Sequence, residues 1–90
     1  MIRRLTVHIF GKVQGVVFRS TAADEARRLG LTGFVRNEAN GSVYLEGESE
    51  EKALQEFLTW CRHGPKWAQV ERIEFEFSQV LRNFKEFVVE

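Results

Sequence analysis

The sequence predicts an α+β fold: one mostly antiparallel sheet, two helices on one of its faces, and a short C-terminal strand. Three observations carry this. Apolar residues alternate in LTVHIF and again in QVERIEFEF, the period of a half-buried strand. Two stretches, STAADEARRLG and residues 50–63, instead carry apolar residues at helical spacing. Between them the pair Asn40-Gly41 separates two short apolar runs, as in a hairpin.

In chain order, Leu5, Val7 and Ile9 give the first strand one apolar side, against Thr6, His8 and Phe10 on the other. The glycine-bearing stretch GKVQGVVFRST follows, and then the first helix. Ser20 or Thr21 is expected to cap that helix, with Asp24 completing a capping box and Gly30 stopping it. Ala22, Ala26 and Leu29 form its inward stripe. LTGFVRN and SVYLEGE are the hairpin strands, with positive φ expected at both Asn40 and Gly41. The second helix runs from about Glu50 to His63, with Ser49 as its expected N-cap, and Gly64-Pro65 ends it. Ala53, Leu54, Phe57, Leu58 and Cys61 share its apolar face. Ile73, Phe75 and Phe77 line one side of the next strand, and a last strand falls around FKEFVV. The resulting β-α-β-β-α-β order is that of a ferredoxin-like sandwich, in which each helix joins parallel strands with another strand between them. That fold hosts many activities and does not by itself select one.

Composition narrows the field. Ninety residues suffice for one domain, 1–90, and are too few for two ordinary ones. Thirteen basic residues balance thirteen acidic ones, so broad capture of nucleic acid or of an anionic membrane is not expected, and any anion site is local. An RNA-binding sheet would show aromatics and a basic surface, whereas SVYLEGE offers Tyr44 among acidic neighbours. The single cysteine, Cys61, excludes an internal disulfide and a cysteine-based zinc cluster, and its place in a helical apolar pattern reads as core. With two histidines, His8 and His63, a histidine-rich metal site is poorly supported. No apolar run is long enough to span a bilayer, and the opening MIRRLTVHIFG alternates where an export signal would be continuously apolar. A cytoplasmic location is the expectation. Trp60 and Trp67 are expected to pack in the core or at a helix end, Phe18 to anchor its loop, and Lys12 to be solvated.

The stretch from Gly11 to Thr21 lies between a strand and a helix. Glycines there let successive N–H groups face one concavity, and the helix N-terminus adds free N–H groups and partial positive charge. Arg19 follows with a planar fork suited to two phosphate oxygens. The stretch is neither a Walker A loop nor a dinucleotide fingerprint. By spacing alone, an anion nest and a plain strand-to-helix turn both remain open.

GKVQGVVFR resembles the acylphosphatase signature G-x-V-Q-G-V-x-F-R at every fixed position: Gly11, Val13, Gln14, Gly15, Val16, Phe18 and Arg19, with Val17 at a variable one. GFVRNEANGSV is similar to that family's second signature through Gly33, Phe34, Asn37, Gly41 and Val43, and GPKWAQVERI resembles the segment leading into its fourth strand. The resemblance covers essentially the whole chain. It implies a loop of Gln14, Gly15, Val16, Val17, Phe18 and Arg19 that binds phosphate, with Arg19 as the substrate-binding arginine and Asn37 orienting the attacking water. It further implies hydrolysis of the carboxyl-phosphate bond of acyl phosphates to a carboxylate and inorganic phosphate, without metal or cofactor. The implied partner is the small-molecule substrate, the chain being a monomer without nucleic acid or membrane. Two departures stand out: Ser49 where the second signature has glycine, and Glu38 directly after Asn37, a carboxylate whose direction would bear on affinity. An acylphosphatase-like domain within a larger maturation enzyme is the alternative, and a chain without zinc or transferase segments favours the free-standing enzyme.

The chemistry is consistent with that residue set. The leaving carboxylate has a conjugate acid of pKa about 4 and departs unprotonated, so no general acid is needed. Fixed donors around the phosphoryl oxygens stabilise the charge of a loose transition state. An asparagine amide accepts from water with its oxygen and donates with its nitrogen, which places the nucleophile without deprotonating it early.

Overall fold

The computed structural model describes residues 1–15 and 17–90; Val16, part of the loop singled out above, lies outside the described residues. The elements follow the expected order: β1 (Ile2–Lys12), α1 (Phe18–Arg28), β2 (Thr32–Asn37), β3 (Val43–Glu50), α2 (Glu51–His63), β4 (Gln69–Ser78) and β5 (Phe87–Val89). They build one sheet in the order β4-β1-β3-β2-β5, with antiparallel neighbours except for the parallel pair β2–β5. The α+β, ferredoxin-like expectation is therefore borne out.

Register sets the two faces. Val7, Leu45 and Val35 stand side by side across β1, β3 and β2, as do Ile9, Val43 and Asn37 one step along. The apolar members of these rows are fully buried and meet Ala22, Ala23 and Ala26 of α1 and Leu54, Phe57 and Cys61 of α2. Burial pushes the Cys61 thiol strongly up, so it stays a neutral core residue as its helical pattern suggested.

Both helix starts differ from the sequence reading. α1 begins two residues before Ser20, with Val17 as N-cap. Thr21 Oγ1 and Ser20 Oγ donate back to the Val17 oxygen, at 2.8 and 3.3 Å, so these hydroxyls sit inside the first turn and leave its N–H groups uncapped. Ser49 remains in β3 opposite Arg3, and the N-cap of α2 is Glu50, without a side-chain bond. The far end of α1 stops as expected: Leu31 N–H donates to Ala26 O and Gly30 N–H to Arg27 O, the paired bonds of a Schellman motif. In the turn between β2 and β3 only Gly41 has positive φ, 92°, because a turn over Glu38–Gly41 ends in a bulge instead of two left-handed residues. Asn40 contributes its side-chain oxygen, which accepts from Ser42 N–H and Oγ–H.

To join β5 to the far edge of the sheet, residues 79–86 must cross from beside β4 to beside β2 on the side away from the helices. Two buried carboxylates of β3 hold this strap. Glu48 accepts the main-chain N–H groups of Arg82 and Asn83 at 2.5 and 3.0 Å, and Glu46 accepts the Arg82 guanidinium and the Tyr44 hydroxyl. Asn83 takes φ 58°, so consecutive N–H groups converge on one anion, here an internal one. Burial, followed by the hydrogen bond to Glu46, pushes the Tyr44 hydroxyl up to about 12, which keeps it a donor at neutral pH. Phe84 then packs edge-on against Phe34. His8 lies on this same face, against Tyr44 and Phe10, as a packed strand residue.

Replacing Glu48 by Gln keeps the shape but leaves one oxygen to serve two converging N–H groups. Urea unfolding should show a loss of about 1–3 kcal/mol; an unchanged midpoint would mean that the strap is held by other contacts.

Candidate functional site

β1 and β2 run in the same sense, because each pairs antiparallel with β3, and β5 runs parallel to β2. Their carboxyl ends therefore gather at one end of the sheet, where the N-terminus of α1 also lies. A cavity of about 380 Å³ opens there, lined by Val13, Gly15, Val17, Phe18, Arg19, Ser20, Asn37 and Val89. Arg19 and Asn37, eighteen positions apart in the chain (37 − 19), thus line one cavity. Trp67, expected as packing, is 68% exposed, with Lys66 over its ring, and has no part in it.

The loop owes its shape to a few local constraints. Gly11 still belongs to β1, at the bulge where pairing with β4 slips; with φ 132° and a would-be Cβ 2.1 Å from Gln69 O, only glycine fits. Gly15 turns the chain with φ 73°. Val17 adopts φ 53°, ψ 28°, a left-handed conformation that costs a β-branched residue about 1–3 kcal/mol. Neither glycine spacing nor any other sequence signal marked that residue as left-handed. Phe18 anchors the loop as anticipated: it is 2% exposed and its ring lies 5.6 Å from that of Trp60, which stacks in turn on Phe57.

Gln14, named above in the loop implied to bind phosphate, uses its side-chain nitrogen elsewhere. Its Nε2 donates at 2.8 Å both to Glu38 O and to Ser42 O, the two ends of the β2–β3 turn. Ser42 O also accepts Glu38 N–H, so one carbonyl serves both the hairpin and the loop. The amide thereby ties the loop carrying Arg19 to the hairpin carrying Asn37.

Free donors stand where α1 begins at the cavity. Thr21 N–H closes the first turn of α1 on Val17 O at 3.2 Å, so the N–H groups of Phe18, Arg19 and Ser20 have no intrahelical acceptor. The Arg19 side chain is half-buried, and its Nη1 donates to the main-chain oxygen of Glu90 at 2.6 Å, which steadies the guanidinium from the β5 side. Asn37 is exposed at the end of β2 on the helix-bearing face. Glu38 turns the other way: its carboxylate pairs with Arg36 at 3.3 Å, and Arg36 lies over the Tyr44 and Phe34 rings on the opposite face. The carboxylate beside Asn37 is thus directed away from the cavity. Lys12 is exposed at the end of β1 and does not line the cavity.

Comparison with known proteins places this architecture. The family model described as Acylphosphatase matches residues 5–89. The acylphosphatase of Methylococcus capsulatus is 41% identical over 88 residues, covering 98% of this chain and 96% of that protein. That of Anaeromyxobacter dehalogenans is 46% identical over 74 residues, 82% of this chain and 80% of the relative. The crystal structure of acylphosphatase from Bacillus subtilis matches with a TM-score of 0.95 at 31% identity, covering 100% of this chain and 99% of that one. No helix among the described residues is long and apolar enough to cross a membrane.

Gln14→Ala removes two hydrogen bonds at once and leaves the Glu38 oxygen without that donor. Stability in urea should fall by about 2 kcal/mol; a loss below about 0.5 kcal/mol would show that the two loops hold their spacing without the amide.

Proposed function

The chain belongs to the acylphosphatase family, and from that premise we propose how it hydrolyses acyl phosphates: the loop seats the phosphoryl group, Arg19 grips its oxygens, and Asn37 aims the water. The observation that carries this reading is the shared cavity, in which Arg19 and Asn37 meet the uncapped start of α1. The phosphoryl oxygens accept from the N–H groups that open the helix and from the guanidinium, whose planar fork spans two of them. Gln14 and Phe18 belong to the loop as supports, since their side chains are occupied by the hairpin carbonyls and by Trp60.

Asn37 stands at the end of β2, so a water held by its amide approaches phosphorus from the side opposite a leaving group directed outward. Attack along that line forms the new P–O bond as the carboxyl-phosphate bond breaks. The carboxylate leaves as the weak base it is, and inorganic phosphate remains. Such a reaction asks the protein for fixed dipoles and one cation placed where charge develops, which is what a strand end, a helix N-terminus and an arginine supply. Every group invoked comes from one chain, which supports a monomer as the working unit.

Arg19→Ala and Asn37→Ala should each fold normally and lose about 10²–10³ in turnover on a small acyl phosphate. Near-normal turnover of Asn37→Ala would refute the water-positioning role. Arg19→Lys should remain poor, because an ammonium keeps the charge but loses the two-pronged contact. Activity measured with and without a chelator should be the same, with little cleavage of a simple phosphate monoester; a requirement for added metal would rule out this mechanism.

A further inference from the structure

We propose that Val17 and Val89 form an acyl seat beside Arg19, which selects acyl phosphates with an apolar acyl group over those carrying a second negative charge. The inference rests on the reading of the cavity given above and concerns the part of the substrate that leaves.

Val17 and Val89 approach the cavity from different elements, the first turn of α1 and the end of β5. Both are exposed, 64% and 43%. Val17 is also held at φ 53°, where glycine or asparagine is the ordinary choice. The free chain therefore keeps a β-branched side chain in a disfavoured conformation and in water, with no burial to offset either. Backbone strain of this kind clusters at ligand sites, where the contact appears only on binding. An acyl chain extending from a phosphoryl group on Arg19 passes between the two valines and covers their methyls.

Charge points the same way. Arg19 is the one charged side chain among the described residues lining the cavity, and it is committed to the phosphoryl group and to Glu90 O. The neighbouring Glu38 carboxylate is already paired with Arg36 on the other face, so Arg36 is not directed here to receive an anion. A carboxylate at the far end of the acyl group would meet valine methyls and lose hydration without gaining a partner.

The test compares kcat/KM of the full chain for acetyl, butyryl and succinyl phosphates. Butyryl and succinyl groups have the same number of carbons and differ at the far end, methyl against carboxylate. The native chain should prefer butyryl over succinyl phosphate by about tenfold. Val89→Lys, at an exposed strand position, should lower that ratio by about tenfold, and Val17→Thr, which keeps the shape and adds a hydroxyl, by about threefold. Equal kcat/KM for butyryl and succinyl phosphate, or a ratio unmoved in both variants, overturns the acyl seat while leaving the catalytic reading intact. Hydrolysis of none of the three overturns the catalytic reading, and the seat with it.

Discussion

The side-chain amide of Gln14 is the contact on which the site's geometry depends. The sheet fixes where β1 and β2 end, but not how the turns beyond those ends sit relative to each other. One Nε2 reaching both Glu38 O and Ser42 O closes that gap. The loop that presents Arg19 then moves only with the hairpin that presents Asn37. In-line displacement is sensitive to shifts of about 1 Å, so in the mechanism proposed above this tie bears on the chemistry as well as on the fold. Phe18 secures the same loop from below, inside the aromatic group of Phe57 and Trp60.

A second constraint arrives from the far edge of the sheet. β5 can reach β2 only if the chain crosses the sheet, and a crossing segment without secondary structure has few bonds of its own. Glu48 supplies the missing acceptors to Arg82 and Asn83, and Glu46 holds the Arg82 side chain. The ordered strap then delivers Phe87 into the core, Val89 to the cavity rim and the Glu90 oxygen to Arg19. Arg27 of α1 binds the Phe87 oxygen through Nε and Nη2, so the helix that begins at the loop carrying Arg19 also clasps the strand that lines the cavity.

Much of this was legible in the sequence. The alternation of LTVHIF and QVERIEFEF, the helical spacing of residues 50–63 and the Asn40-Gly41 turn sufficed for element order and fold class, because periodicity reports which side of an element is buried. Arg19 and Asn37 were legible as candidates through the two motifs, and the structure adds that they share a cavity. What failed was decided by side-chain partners that the pattern of one element does not specify. Ser20, Thr21 and Ser49 look like caps, yet the first two hydroxyls return to Val17 O and the third stays in β3. Glu46 and Glu48 look like solvated strand residues, yet a segment more than thirty positions away buries them. The direction of Glu38 depended on Arg36, and Trp67 resembled core only because it is large. The left-handed turn at Val17 had no local signature, since nothing in the sequence asks a valine to be there.

That last failure is informative. Where local preference and observed conformation disagree, the rest of the structure is imposing the conformation, and such conflicts gather at sites that work. Here the imposed residue opens the helix, so its backbone sets the direction in which the free N–H groups of α1 point. A valine by itself favours extended backbone, so this conformation is held by its surroundings: Phe18 buried beside it, and the bonds that Thr21 N–H, Thr21 Oγ1 and Ser20 Oγ give to Val17 O. In the mechanism proposed above, those contacts keep the donors aimed, and preorganised dipoles are the main resource of a reaction whose leaving group needs no proton.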